Sequence, residues 1–316
     1  QGFDLNVGGY EAGHPRSYFS PYRNPELPDG PRGEYLTDRL TDEAIKFIEA
    51  NRAGPFFLYL PHYAVHTPLQ AKEQLVAKYK NKQPHNGQSN PEYAAMIESM
   101  DTGIGRILDK LDELSLTQKT IVIFFSDNGG VRNITSMEPL RGGKGMLYEG
   151  GIRVPLIIRW PGRTKPATTC DEPVMGIDFY PTLVEMAGAH LPENQTIDGQ
   201  SLLPLLDRKK SLDRDALYWH FPAYLQGRAK GARDPYFRTR PGGVIRKGDW
   251  KLIEYFEDGD LELYNLKNDI SERHNLADSH PEKTAELHRM LIRWREQIDA
   301  PVPTTPNPAY DPAVGK

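Results

Sequence analysis

Residues 120–130 have the sequence Thr-Ile-Val-Ile-Phe-Phe-Ser-Asp-Asn-Gly-Gly, an apolar run that ends abruptly in polar residues and glycines. Such a run predicts a strand buried on both faces, as in a parallel sheet. An amphipathic helix is predicted just before it, over residues 91–114, because apolar residues recur there at three- and four-residue steps. Apolar runs at residues 55–60 and 154–158 predict two more strands. Strands that alternate with helices indicate an α/β fold.

The remaining segments complete a two-part organisation. Residues 1–34 are rich in glycine and proline and predict an ordered loop. Helices are predicted over residues 37–51 and 178–187. Towards the C-terminus, short β-type runs separated by turn residues predict a small antiparallel sheet, at residues 216–219, 243–246, 250–255 and 261–264. An amphipathic helix over residues 281–298 should pack on this sheet. We therefore predict an α/β domain over residues 1–206, an α+β subdomain over residues 207–300 and an extended tail over residues 301–316.

Composition excludes several classes of protein. The 316 residues carry 39 basic and 43 acidic side chains, a formal net charge of −4, which gives no reason to expect nucleic acid as a partner. A single cysteine, Cys170, excludes a disulfide within the chain and a cysteine-based zinc cluster. No apolar run approaches the roughly 18 residues of a membrane span. The first residues contain neither an initiator methionine nor a signal peptide, so we expect a mature, trimmed or truncated chain.

Asp127 and Asn128 lie where ligand sites of α/β proteins occur, at the end of a strand. Their adjacent carboxylate and amide oxygens suit Ca²⁺ or Mg²⁺ better than a softer metal. The structural alternative is an Asx turn or a helix cap formed by the same side chains.

Two histidines, His62 and His66, follow the run at residues 55–60. Prolines on either side favour a loop over a helix, so the four-residue spacing is weak evidence for zinc. A histidine here could instead bind an anion or transfer a proton. Either ring could also be an ordinary surface histidine.

Residues 141–153 form a glycine-rich segment around Lys144. The segment lacks the Walker pattern, because glycine rather than serine or threonine follows the lysine, and nucleotide binding of that type is excluded. A lysine flanked by glycines could neutralise an oxyanion that approaches the backbone closely. A glycine-rich surface loop is the structural alternative.

In combination these segments resemble the sulfatases of the alkaline-phosphatase-like superfamily. The resemblance is carried by Phe125-Ser-Asp-Asn-Gly129, Gly143-Lys-Gly145, Tyr148-Glu-Gly-Gly151, His66-Thr-Pro68, Gly248-Asp-Trp-Lys-Leu252 and Leu263-Tyr-Asn-Leu266 with Asp269, Glu272 and Asn275. It covers about residues 1–298. The resemblance implies an alkaline-phosphatase-like mixed sheet flanked by helices. It also implies a calcium ion held by Asp127 and Asn128, sulfate binding by Lys144, and protonation of the leaving oxygen by His66.

One family feature is not found in this chain. The family's formylglycine nucleophile is made from Cys or Ser in a Cys/Ser-x-Pro/Ala-x-Arg motif. Cys170, Ser17 and Ser20 do not lie in such a motif. The resemblance therefore leads us to expect an N-terminally truncated sulfatase that is inactive as given, and a periplasmic or secreted parent protein.

The substrate expected from the resemblance is a carbohydrate sulfate or an aryl sulfate. His62 and His220 are predicted to line the substrate site, and aromatic and cationic residues near His220 would suit a sulfated sugar. The cationic residues are Arg228, Arg233, Arg238 and Arg240. The alternative for most of these arginines is a solvated loop. Two other functions stay open, namely a phosphonate or phosphodiester hydrolase of the same superfamily and a non-catalytic protein that binds sulfated glycans.

Overall fold

A computed structural model describes residues 2–207, 211–227, 231–234, 236–305 and 307–308. These residues form two compact units. Unit 1 contains the residues up to Val122 together with Trp160–Gly162, and unit 2 contains Ile123–Arg159 and the described residues from Arg163 onward. The domain boundary predicted at residue 206 stays a prediction. Within the described ranges, no helix is both long and apolar enough to cross a membrane.

Unit 1 is built on helices α1 (Leu36–Asn51), α2 (Glu73–Lys80) and α3 (Pro91–Glu113). The predicted helices over 37–51 and 91–114 are confirmed, whereas α2 was not predicted. The α3 helix begins where the Asn90 side chain accepts a hydrogen bond from the amide of Tyr93 at 3.0 Å. Residues 2–34 contain no helix and no strand of more than an isolated bridge, as predicted. They contribute buried Tyr18 and Tyr22 to the core of this unit.

The strand predicted at residues 55–60 is wrong. The apolar sequence of the segment is typical of a strand, but the segment forms none in the structure. Phe57 and Tyr59 are 56% and 65% exposed, while the alternating residues Phe56, Leu58 and Leu60 are half-buried. The physical reason is that a strand requires a neighbour to pair with, and this segment pairs with no strand among the described residues.

We expect the isolated chain to self-associate through this exposed apolar segment. The Phe57 ring stacks on that of Phe3, which is also exposed, with centroids 5.8 Å apart. Contiguous exposed apolar surface of this kind favours association. Sedimentation velocity should show oligomers that diminish in the double variant Phe57→Ser/Tyr59→Ser and persist in the tail variant Val302→Ser. A monodisperse monomer with a sharp two-state melt would contradict this expectation.

The strand pair β1 (Val122–Phe125) and β2 (Leu156–Arg159) lies in the N-terminal part of unit 2 except for Val122, and it confirms two predicted strands. Three helices follow the first of these strands, α4 (Glu149–Ile152), α5 (Phe179–Met186) and α6 (Leu203–Leu206). The α5 helix confirms the helix predicted at residues 178–187.

The C-terminal part of unit 2 is the predicted antiparallel sheet with one helix. Its strands are β3 (Leu217–Phe221), β6 (Gly242–Lys247), β7 (Trp250–Tyr255) and β8 (Leu261–Asn265), in the order β3-β6-β7-β8, and every neighbouring pair is antiparallel. Helix α7 (Pro281–Gln297) covers one face, where Ile245, Leu252 and Leu263 pack against it. Residues 301–305 have no regular structure, as predicted for the tail, and residues 306 and 309–316 lie outside the described ranges.

The opposite face of this sheet packs against the glycine-rich segment. Because side chains alternate along a strand, Val244, Ile253 and Tyr264 point away from α7. They form a buried cluster with Met146, Leu147 and Tyr148. A short unpredicted ribbon, β4 (Leu225–Gln226) with β5 (Phe237–Thr239), completes the unit. The architecture is thus mixed α/β with a small antiparallel sheet and helix.

Candidate active site

Two loops of unit 2 that carry predicted site residues are joined through their backbones. The amide of Lys144 donates to the carbonyl of Gly130 at 2.9 Å, and the amide of Gly129 donates to the carbonyl of Gly151 at 3.0 Å. Residues 126–130 and 143–151 therefore form one backbone surface. The structure thus joins the loop that carries Asp127 and Asn128 to the loop that carries Lys144.

The glycines of these loops are required by close backbone packing. A Cβ atom added to Gly129 would collide with the carbonyl oxygen of Gly150. One added to Gly150 would lie 2.5 and 2.6 Å from the carbonyl oxygens of Arg141 and Gly142. Since these neighbours are backbone atoms, a side chain cannot be accommodated by a rotamer change, and any larger residue would force the loops apart.

Asp127 and Asn128 have the properties of cation ligands. Asp127 is exposed and Asn128 is half-buried, and neither side chain has a protein partner among the residues described. The alternative role of a turn or cap is therefore not observed in the described structure. Both side chains offer hard oxygens, the ligand type that Ca²⁺ prefers. No group of three or more His, Cys, Asp or Glu side chains in the described ranges could hold a metal ion, so these two residues fit part of a calcium site.

Lys144 is half-buried between two glycines, and no carboxylate of the described residues lies within 4.0 Å of its ammonium group. An ammonium group without an acidic neighbour keeps its charge available for an external anion. The arrangement is compatible with the predicted binding of sulfate.

A buried ionic network holds the glycine-rich segment on the C-terminal sheet. The Lys251 ammonium lies 3.0 Å from Glu149 Oε1 and 2.8 Å from Glu272 Oε1, and all three residues are buried. Glu272 Oε2 also accepts a hydrogen bond from the Glu149 amide at 2.7 Å. No role was predicted for these three residues, although each lies in a segment that carries the family resemblance.

Charge and burial shift the pKa values of the two carboxyl groups of this network in opposite directions. Burial alone would raise the pKa of Glu149, but Lys251, Arg246 and Arg153 lower it. Burial raises the pKa of Glu272 against the attraction of Lys251. One buried lysine is thus shared by two carboxyl groups, of which Glu149 is held ionised by further cations.

Arg141 and Tyr148 add a second connection between the segment and the sheet. The Arg141 guanidinium stacks 3.8 Å above the centre of the Tyr148 ring and donates to the Tyr264 hydroxyl at 3.0 Å. The Tyr148 hydroxyl donates to Glu262 at 2.9 Å. The segment that presents Lys144 is therefore fixed at both ends.

His66 lies in unit 1, in a loop tied to the core. The Tyr18 hydroxyl approaches the carbonyl oxygens of Tyr63 at 2.6 Å and His66 at 2.9 Å. The His66 ring stacks on that of His14, with centroids 5.8 Å apart. His14 had no predicted role, and only its position in a glycine- and proline-rich loop could have suggested one. The assignment of His66 to catalysis stays a prediction, as does its convergence with Lys144.

His62 is a buried imidazole. Both of its ring nitrogens are inaccessible and have no hydrogen-bond partner among the described residues. Burial lowers the pKa of His62 to about 4, so the ring is neutral at pH 7. Its assignment to substrate binding stays a prediction.

The variant His62→Phe should remove an acid sensitivity of the fold. An unfolded chain protonates this histidine below about pH 6.5, whereas the folded chain does so only near pH 4. The stability due to neutral His62 is full above pH 6.5 and is lost as the pH falls to 4, in total about 3 kcal/mol. Urea unfolding at pH 7 and pH 4.5 measures this loss. The surface variant His85→Phe should retain it, and an unchanged loss in His62→Phe would refute the assignment.

His220 lies on β3, and its ring is engaged within the protein. Its Nε2 lies 2.8 Å from the carbonyl oxygen of Pro301, and its ring lies 5.5 Å from that of Phe256. The ring thus anchors the start of the tail. Its predicted contact with substrate stays a prediction.

Two of the four arginines named near His220 are neutralised inside unit 2. Arg233 pairs with Asp258 at 3.1 Å and also contacts Asp260. Arg240 is buried and pairs with Asp234 at 2.5 Å. Arg228 lies outside the described residues. Arg238 has no acidic partner in the described ranges.

Comparison with known proteins places this architecture in a family. The family model described as Sulfatase matches residues 1–189, and the one described as N-sulphoglucosamine sulphohydrolase, C-terminal, matches residues 143–297. The chain is 36% identical to a sulfatase of Formosa agariphila over 92% of this chain and 56% of that protein. It is 38% identical to the steryl-sulfatase of Homo sapiens over 66% of this chain and 37% of that protein.

A solved structure supports the same conclusion. The crystal structure of Ps i-CgsB in complex with k-i-k-neocarrahexaose is 31% identical, covers 84% of this chain and 56% of the other, and has a TM-score of 0.71. The chain thus spans about a third to just over half of the length of these relatives. The predicted alkaline-phosphatase-like α/β fold is confirmed. On its sequence and its fold, the chain belongs to the sulfatase family.

Proposed function

We propose that this chain is the larger, C-terminal part of a calcium-dependent sulfatase that releases sulfate from a sulfated carbohydrate. The observation that supports the proposal is the pair of backbone hydrogen bonds in unit 2 that joins the loop carrying Asp127 and Asn128 to the loop carrying Lys144. Two hard oxygen ligands and one unpaired ammonium group are what a sulfate ester would meet there. The family is generally calcium-dependent and uses a formylglycine nucleophile, which agrees with this donor set.

The chemistry of sulfate esters assigns a role to each residue. Cleavage of the S–O bond develops negative charge on the leaving oxygen and redistributes charge over the sulfate oxygens. Lys144 would bind a sulfate oxygen through its ammonium group. Asp127 and Asn128 would hold Ca²⁺, which when bound supplies Lewis-acid stabilisation of the same charge. His66 would donate the proton that the leaving oxygen requires.

The nucleophile is assigned outside the residues of this chain. Cys170 is exposed, and its sequence surroundings do not form the Cys/Ser-x-Pro/Ala-x-Arg motif. We therefore propose that the coding region upstream of Gln1 encodes this motif. The sequence of that region tests this proposal directly. If the motif is absent there, a protein that binds sulfated glycans without cleaving them is favoured.

A carbohydrate sulfate is the preferred substrate class. The solved relative with 31% identity carries a neocarrahexaose, a sulfated oligosaccharide. The candidates for contact with the sugar are Trp219 and His220 in β3, together with His62. Aromatic and imidazole rings are suited to packing against sugar faces.

The decisive experiment measures inorganic sulfate released by the protein made from the complete coding region, with saturating Ca²⁺. Sulfated oligosaccharides and an aryl sulfate serve as substrates, and the matching phosphate esters serve as controls. We expect sulfate release and little phosphate release. Faster phosphate release would indicate a phosphonate or phosphodiester hydrolase. Binding of sulfated sugars without any turnover would indicate a glycan-binding protein.

A further inference from the structure

Three of the four arginines near His220 are described, and their environments differ. Arg233 stacks on the Tyr255 ring at 4.3 Å and pairs with acidic residues of the β7–β8 turn. Arg240 pairs with Asp234, whose carboxylate also accepts the amide hydrogen of Phe237 at 2.9 Å. The guanidinium groups of Arg233 and Arg240 thus form ion pairs within unit 2. Arg238 forms no such pair with any described residue.

Arg238 occupies a β-bulge. Leu225 pairs with Thr239 and Gln226 pairs with Phe237, so the residue between Phe237 and Thr239 has no partner across the ribbon. A bulge changes the direction of the side chain it carries and is often found beside active sites. The bulge therefore gives Arg238 an orientation that regular pairing would not.

The guanidinium of Arg238 also has an unused donor. Its Nε is buried and has no hydrogen-bond partner among the described residues, and the side chain forms no ion pair with any of them. Leaving a buried donor of a charged group without an acceptor is costly, and native structures rarely do so without a reason. A ligand that supplies an acceptor would remove this cost.

The stem of Arg238 lies against the loop that presents Lys144. A Cβ atom placed on Gly145 would be 2.9 Å from Arg238 Cδ, and it would also collide with Leu225. Gly145 has a φ of +81°, so glycine is favoured there for its backbone conformation as well as for the space. Gly145 follows Lys144 directly. Two cations that lack acidic partners in the described structure thus arise from contacting segments of one unit.

Unneutralised cations carried by contacting segments repel each other, and an anion with two charged groups would relieve both. An arginine is suited to the second group, because its planar fork matches the oxygens of sulfate or carboxylate. We propose that Arg238 binds a second oxyanion of the substrate, next to the sulfate that Lys144 binds. The enzyme would then select sugars that carry at least two negative groups. This inference rests on the proposed function, whose substrate class it narrows.

The test is titration calorimetry of the protein from the complete coding region with paired sugars. The pairs are ι-neocarratetraose with κ-neocarratetraose, D-glucosamine-2-N,6-O-disulfate with D-glucosamine-6-O-sulfate, and a chondroitin-6-sulfate tetrasaccharide with its carboxyl-reduced form. The first two pairs probe a second sulfate and the third probes a carboxylate. We expect the more highly charged member of at least one pair to bind more tightly.

The variant Arg238→Met approximately keeps the length of the side chain. It should weaken binding of the more highly charged sugar roughly 10- to 100-fold and leave the affinity for the other sugar of the pair unchanged. Arg238→Lys should restore part of the loss. The control Arg289→Met removes an equal charge from the exposed face of α7 and should change neither affinity.

The outcomes separate the two proposals. If sugars bind but Arg238→Met weakens both members of each pair equally, or neither, the assignment of Arg238 is wrong and the proposed function stands. If no sugar of any pair binds, the proposed function fails and the assignment of Arg238 fails with it.

Discussion

Replacing Lys251 by methionine should lower the free energy of unfolding by about 3–5 kcal/mol. The substitution leaves Glu149 and Glu272 buried without the cation that lies within 3.0 Å of both. An uncompensated buried carboxylate loses far more in desolvation than the lost packing costs. Urea denaturation of the chain, followed by fluorescence of its tryptophans, measures the change.

Two further variants separate the network from a general effect of lysine loss. Lys247→Met, at the exposed end of β6, removes a pair with Glu286 that is 3.7 Å long and should cost less than about 1 kcal/mol. Adding Glu149→Gln and Glu272→Gln to Lys251→Met should recover part of the stability, because neutral amides carry a smaller desolvation cost. A loss below about 1 kcal/mol for Lys251→Met would show that the network does not stabilise the fold.

Lys144→Ala in the protein made from the complete coding region should reduce kcat for sulfate release about 10²- to 10³-fold, or about 3–4 kcal/mol. The ammonium group has no acidic partner among the described residues and so is available to the sulfate. Lys144→Arg should not restore the full rate. Gly143 and Gly145 lie against Arg132 and Arg238, which leaves little room for a planar fork in place of a point charge.

Related variants test the rest of this assignment. His66→Ala should reduce kcat by a similar factor, because the leaving oxygen would then depart without a proton. Lys165→Ala, a surface lysine of unit 2, is the control and should leave kcat unchanged. The 316-residue chain alone should release no sulfate, because it contains no residue that can become formylglycine. Near-normal rates in both Lys144→Ala and His66→Ala would overturn the assignment.

Periodicity predicted the regular elements of the fold well. The α3 helix shows its burial pattern in the sequence because one of its faces lies on a core. The strands of the four-stranded sheet are recognisable as short β-type runs between turn residues. The prediction of a strand at residues 55–60 was wrong for a related reason. An apolar run indicates what a segment would bury, but whether it forms a strand depends on a neighbour that the run itself does not specify. The ribbon of β4 and β5 is too short to leave a pattern.

The residues of the candidate site could be proposed from the sequence where their chemistry is local. Asp127, Asn128 and Lys144 are recognisable because glycines and a strand end mark their loops. The network of Glu149, Lys251 and Glu272 was not recognised, since Glu149 is more than a hundred residues away from both of the others. A lysine inside a strand is also usually taken to face solvent. The one available signal was alternation, because Lys251 lies on the same face of β7 as Ile253 and Tyr255, both of which are apolar and buried.

The distance in sequence between Glu149 and Lys251 has a consequence for the order of folding. Strands β6, β7 and β8 are joined by short turns, so they can pair at a small cost in loop-closure entropy. The ionic connection to the glycine-rich segment closes a loop of 102 residues, and we expect it to form after the sheet. Contacts made late change the unfolding rate more than the folding rate. The segment that presents Lys144 would then be the last part of unit 2 to become ordered and the first to be lost.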